Sequence, residues 1–124
     1  MLNSIPIIIR RLVTATYMAA LAYVSLRPGL SSGEGEPLRG VIDNFLHVPA
    51  YAILTLFLLC SINININKYK KVFVIAFVFG VLMEIGQSFV PNRYMSLMDV
   101  GLNSIGIVFA LYFYSKVVVK ETSL

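Results

Sequence analysis

The sequence predicts an all-α membrane protein of four transmembrane helices, with both termini cytoplasmic and helices 3 and 4 paired as an antiparallel hairpin. Three observations carry that expectation. The 124 residues are 58% hydrophobic and only 13% charged. A small domain has a large surface for its volume, and so few charges cannot cover one in water. The apolar residues fall in four blocks, each near the ~20 residues that a helix needs to cross the hydrocarbon core. The basic residues lie mainly to one side of those blocks. Arg10 and Arg11 precede the first crossing, Lys68, Lys70 and Lys71 separate the second from the third, and Lys116 and Lys120 close the fourth. The other side has Arg27, Arg39 and Arg93. Basic flanks stay in the cytoplasm, and four crossings return a chain to its starting side, so charge and segment number agree.

The whole chain, 1–124, reads as one transmembrane domain. Its first helix covers about 6–26, behind "SIP". No small-residue cleavage pattern closes it, since "SLRPG" follows, so it reads as a retained helix and not a signal peptide. Arg27 to Gly40 is rich in Gly, Ser and Pro and reads as an exposed loop. The second helix covers about 41–62, with Pro49 as a candidate kink. "SINININKYKK" alternates polar and apolar residues but is too short for a sheet, and reads as a helix end and a polar turn. The third helix, 72–90, is the cleanest, with Glu84 its only charge. Its β-branched run "VFVIAFVFGV" would suggest a strand in water. In lipid the backbone has no water to bond, and a helix satisfies it. "PNRYM" (Pro91 to Met95) is so short that the fourth helix, 96–118, must turn back on the third. Gly80, Gly86, Gly101 and Gly106 read as close-packing positions.

Several function classes are excluded at this level. The single cysteine, Cys60, allows no disulfide framework. No Cys/His zinc-finger pattern is present. The net charge of +4 comes from helix flanks and forms no basic stripe with interleaved aromatics, so no nucleic-acid partner is expected.

The polar residues inside the apolar blocks are the informative ones. Asp43, His47 and Tyr51 follow at i, i+4 and i+8, along one face of the second helix. Glu84 and Gln87 lie near the outer end of the third helix, Asp99 and Asn103 near the outer start of the fourth, and Arg93 in the turn between. At ~1.5 Å per residue, His47, Glu84 and Asn103 would lie roughly 9–10 Å below the outer boundary. A mid-membrane Asp costs roughly 2.5–3.5 kcal/mol on insertion scales, so these acids need partners. Arg93 is expected to grip Asp99 or Glu84 bidentately. Gln87 and Asn103 are expected to bond across the hairpin, and Asp43 to orient His47.

Such a cluster either pins the hairpin or forms a site open to the outer leaflet. As an acid–base set, His47 would be the base, Asp43 its orienter, and Glu84 or Asp99 the acid. Arg93, Gln87, Asn103 and Tyr51 would bind the ligand. A metal on Asp43, His47, Glu84 and Asp99 is compatible with ligand chemistry, but the spacing matches no metal motif, so no metal or cofactor is assigned. A proton pathway is disfavoured, because the inner halves of the helices lack ionisable groups.

"DNFLHVPAYAIL" followed by "EIGQSFVPNRYMSLMDVGLNSIG" resembles the VanZ-like family of small bacterial membrane proteins. That family shows an Asp and a His with a downstream Tyr, then Glu-x-x-Gln, a Pro-x-Arg turn, a Ser, an Asp, and an Asn before Gly. The matching positions are Asp43, His47 and Tyr51, then Glu84, Gln87, Pro91, Arg93, Ser96, Asp99, Asn103 and Gly106. Asn44 departs from the Lys that many relatives have there, and Pro49 interrupts the His-to-Tyr interval. The resemblance implies a multi-pass protein of the bacterial cytoplasmic membrane. It also implies a link to the cell envelope and to resistance against the glycopeptide antibiotic teicoplanin. The expected partner is a membrane lipid, a lipid-linked envelope ligand or a glycopeptide-type ligand. The alternative is a hydrolase or transferase acting on such a lipid-linked substrate.

Overall fold

The computed structural model of the chain describes residues 5–28, 45–63, 67–91 and 93–122. Among the described residues four helices follow one another: α1 (Ile7–Ser25), α2 (His47–Ser61), α3 (Lys68–Gln87) and α4 (Leu97–Thr122). Among the described residues there is no strand, so the run "VFVIAFVFGV" is helical within α3.

Side-chain contacts give the direction of each helix. Tyr17 meets Ala50, Thr14 meets Phe57 and Arg10 meets Cys60, so α1 and α2 run antiparallel. Glu84 meets Ser96 and the Lys68 ammonium lies over the Tyr114 ring, so α3 and α4 are the expected antiparallel pair. His47 meets Asn103 and Val48 lies against Gly106, so α2 and α4 run parallel. The helices therefore alternate in direction. The C-terminal ends of α1 and α3 share one end of the bundle with the N-terminal ends of α2 and α4.

The helix α2 is central and touches the other three, most extensively α4. Gly106 makes that contact possible. A Cβ there would lie 2.2 Å from the Val48 carbonyl oxygen, so only a residue without a side chain lets the two backbones approach. The core consists of Tyr51, Leu54, Leu58, Leu59, Val72, Ala76 and Ile107. Arg10 Nη1 donates to the Cys60 carbonyl at 2.9 Å, and Arg11 Nε reaches the Ser61 carbonyl at 3.5 Å. Both carbonyls belong to the last turn of α2, where no helical N–H follows to bond them.

The described helix α2 begins at His47 after a turn at Leu46, with Phe45 also helical, and positions 41–44 of the expected span lie outside the described residues. Pro49 is the third residue of α2, where its missing N–H removes no bond within this helix.

The exterior is apolar. Ile8, Leu12, Phe109 and Phe113 are each about 60% exposed, while Thr14, Thr55, Lys68, Glu84, Gln87, Asp99 and Asn103 are buried. Two helices, Ile7–Ser25 and the Leu97–Val117 part of α4, are long and apolar enough to cross a membrane. The helix α2 has 15 residues, about 22 Å of rise. The helix α3 has 20, but Lys68, Lys70, Lys71 and Glu84 lie among them. Apolar outside with polar groups inside is the distribution that suits lipid as solvent, and it suggests a membrane protein.

Candidate functional site

The polar cluster lies at the bundle end where α2 and α4 begin and α1 and α3 finish. Its position follows from local chemistry. After Gln87 the chain leaves α3 through a tight turn, in which Ser88, Phe89 and Val90 each donate to the carbonyl three residues back, at 3.0–3.1 Å. Pro91 prevents a return to helix. Ser96 then starts α4. Its Oγ accepts the Asp99 N–H at 3.2 Å, an N-cap that leaves Asp99 in the first turn, at the positive end of the helix dipole.

His47, on α2, places Nδ1 2.9 Å from Asn103 Oδ1 on α4. An amide oxygen only accepts, so Nδ1 carries the proton, and in the neutral imidazole Nε2 presents its lone pair. Nε2 faces Asp99 Oδ2 at 3.9 Å. Glu84 is wholly buried, and its Oε2 accepts the Ser96 N–H at 3.3 Å. Glu84 Oε1 and Asp99 Oδ1 are buried and accept no hydrogen bond. One ligand atom from each of His47, Glu84 and Asp99 lies within 4.8 Å of the others.

Two expected pairings do not form. Arg93 grips neither carboxylate. Its Nη1 donates to the Ser25 carbonyl at 3.0 Å, tying the hairpin turn to the last residue of α1. That carbonyl lacks a helical partner, which makes it a strong local acceptor. Asn103 does not reach across the hairpin but crosses to His47 on α2, because α2 and α4 are the closest pair of helices at Gly106. Asn103 thus holds His47 Nδ1, and Asp43, which was expected to orient His47, lies outside the described residues.

Gln87 is buried one turn beyond Glu84. Tyr51 belongs to the apolar core one turn below His47, its ring 6.4 Å from that of Phe79. Gly80 sits where these groups converge. A Cβ there would lie 3.1 Å from the Tyr51 ring and 3.2 Å from Asn103 Nδ2. The sequence reading gave Ser96 only as a position of the family resemblance and Gly80 only as a close-packing position, and it missed the Ser25 carbonyl. Ser96 was legible, because Ser-x-x-Asp before an apolar run is a helix-start pattern. A backbone carbonyl 68 residues from Arg93 leaves no mark in the sequence.

The cluster therefore offers a tautomer-fixed imidazole, two carboxylates with free oxygens and one guanidinium whose Nε has no acceptor. It can accept protons, hold a cation, or bind a polar headgroup. Neither a search of curated proteins nor one of solved structures gave a match. The sequence model of VanZ/LLP1 matches residues 4–119, nearly the whole chain, and spans every residue of the cluster. This chain belongs to the VanZ/LLP1 family.

Proposed function

We propose that this protein spans the bacterial cytoplasmic membrane four times, with both termini cytoplasmic. Its polar cluster faces the extracytoplasmic side and holds the headgroup of a membrane lipid, a lipid-linked envelope precursor or a glycopeptide-type ligand. One observation carries this reading: polar groups from α2, α3, α4 and the hairpin turn gather at one end of a bundle whose exterior is apolar. The opposite end supports the orientation, since Arg10, Arg11, Lys68, Lys70, Lys71 and Lys116 are there. Arg93 Nε, buried and without an acceptor, is the donor for a phosphate or carboxylate oxygen of the ligand.

Native mass spectrometry of the protein extracted in mild detergent tests the ligand. A co-purifying lipid lost in Arg93→Ala, with the fold retained, supports the reading; equal retention in both proteins removes Arg93 from it. Fusion of alkaline phosphatase to the C-terminus tests the orientation, because an active fusion would put that end outside. The teicoplanin link of the family predicts that expression raises the inhibitory concentration of that drug in a susceptible host.

The His47–Asn103 bond favours a second reading, in which His47 Nε2 acts as general base on a lipid-linked substrate with Asp99 or Glu84 as acid. Turnover of envelope lipid extract, followed by mass spectrometry, would then disappear in His47→Ala while lipid retention persists.

A further inference from the structure

We infer that His47, Glu84 and Asp99 form a binding site for one divalent transition-metal ion of the Zn2+ type. The inference goes beyond the ligand reading above and shares only its location. It rests on the geometry, on the tautomer of His47 and on the unpartnered oxygens.

The geometry is nearly closed. Ligand atoms on a tetrahedral Zn2+ at ~2.1 Å lie about 3.4 Å apart. His47 Nε2 and Asp99 Oδ2 are 3.9 Å apart, and the three ligand atoms all lie within 4.8 Å of one another. A side-chain movement of under about 1 Å brings all three onto one ion at such bond lengths.

The imidazole is prepared for the role. Asn103 Oδ1 accepts the Nδ1–H bond, so in the neutral imidazole Nε2 is the free lone pair, 3.9 Å from Asp99 Oδ2. Ligating histidines characteristically donate their other ring N–H to an oxygen in this manner, which sets both tautomer and ring orientation. Gly80 keeps room for the Asn103 amide, so this bond is itself built into the α3–α4 packing.

The carboxylates lack what an ion would supply. Glu84 is wholly buried and Oε1 has no donor, and Asp99 Oδ1 is in the same condition. Arg93, the nearest strong cation in the sequence, is committed to Ser25. Burying an ionised carboxylate costs several kcal/mol unless something compensates it. Pinning the hairpin needs only Glu84 Oε2 on the Ser96 N–H, which leaves Glu84 Oε1 and Asp99 Oδ1 buried without a donor. One nitrogen and two carboxylate oxygens favour Zn2+ and its neighbours over Mg2+ or Ca2+, which prefer all-oxygen sites. Three protein ligands leave a coordination position for an exchangeable group. The His47 side chain is 21% exposed, so that position has a way out. A bound cation would also neutralise two carboxylates that otherwise repel an anionic headgroup.

The test uses the full chain in a Cys60→Ser background with a tag free of histidine. The protein is stripped with chelator and titrated with Zn2+ against a chromophoric competitor. The expected result is one Zn2+ per chain, with affinity weakened about tenfold or more in Glu84→Gln and in Asp99→Asn, and little response to Mg2+. The chain has one histidine, so the 15N resonance of Nε2 reports ligation in the unmutated site: it should shift on addition of Zn2+ while Nδ1 keeps its proton. No saturable binding, undiminished binding in both variants, or an unmoved Nε2 resonance would overturn the inference. A proton shared between Glu84 and Asp99 would produce the first and third of these. Lipid retention is scored on the same samples. Zinc without lipid sinks the ligand reading alone, and lipid without zinc sinks this inference alone.

Discussion

Replacing Glu84 by glutamine separates the two things this carboxylate does. Its Oε2 closes the hairpin on the Ser96 N–H, and its Oε1 is buried without a donor. In Glu84→Gln the amide oxygen can keep the Ser96 bond. A bond to a charged group is worth ~1.5–3 kcal/mol and a neutral one ~0.5–1.5 kcal/mol, so the loss is about 1 kcal/mol. The facing carboxylate oxygens lie within 4.8 Å, where two unit charges repel by roughly 3.5 kcal/mol at an effective dielectric constant of ~20. The new amide NH2 also gives Asp99 Oδ1 a donor. The balance favours the variant by about 2 kcal/mol, several degrees in Tm for a domain of this size. The chain has no tryptophan, so far-ultraviolet circular dichroism in detergent, with chelator present, is the assay. Glu84→Gln should melt at or above the wild type. Excess Zn2+ should reverse the order by raising the wild type alone. A variant that melts several degrees below the wild type in chelator would refute the charge-repulsion reasoning and make Glu84 a structural tie first.

Four further perturbations follow from the packing. Gly106→Ala places a methyl 2.2 Å from the Val48 carbonyl and should lower stability by ~2–3 kcal/mol, the upper end for an overpacked contact. Gly101→Ala meets nothing within 4 Å and should be neutral or stabilising by up to about 1 kcal/mol; the two melting curves side by side check both. Arg93→Gln removes the tie to Ser25, so amide exchange in the last turn of α1 should accelerate, while the amides of α2 keep their protection. Asn103→Leu keeps the volume but removes the acceptor of His47 Nδ1. The 15N spectrum of the single histidine should change from one tautomer to a mixture, and an unchanged spectrum would mean that something else orients the ring.

The positions of the helices were largely legible because their cause is local. A block of apolar residues near membrane length, closed by lysines or a Pro-Asn turn, has few ways to satisfy its backbone except as a helix. The third and fourth helices match expectation within a few residues for that reason. The second is described from His47 to Ser61, with Pro49 in its first turn, and positions 41–44 of its expected span lie outside the described residues.

By itself, the sequence determined the composition of the polar cluster and the end of the bundle where it gathers. Alternating helices bring the C-terminal end of α3 to the N-terminal ends of α2 and α4, and His47, Glu84, Gln87, Arg93, Asp99 and Asn103 were all written near those ends. Only the tertiary structure decided who bonds to whom. Arg93 turns from the carboxylates to the Ser25 carbonyl, and Asn103 passes over its hairpin partner to hold His47. The physical reason is that such pairings depend on distances between helices. Those distances are set by Gly106 and Gly80, whose absent side chains let α2, α3 and α4 close around His47, Glu84 and Asp99.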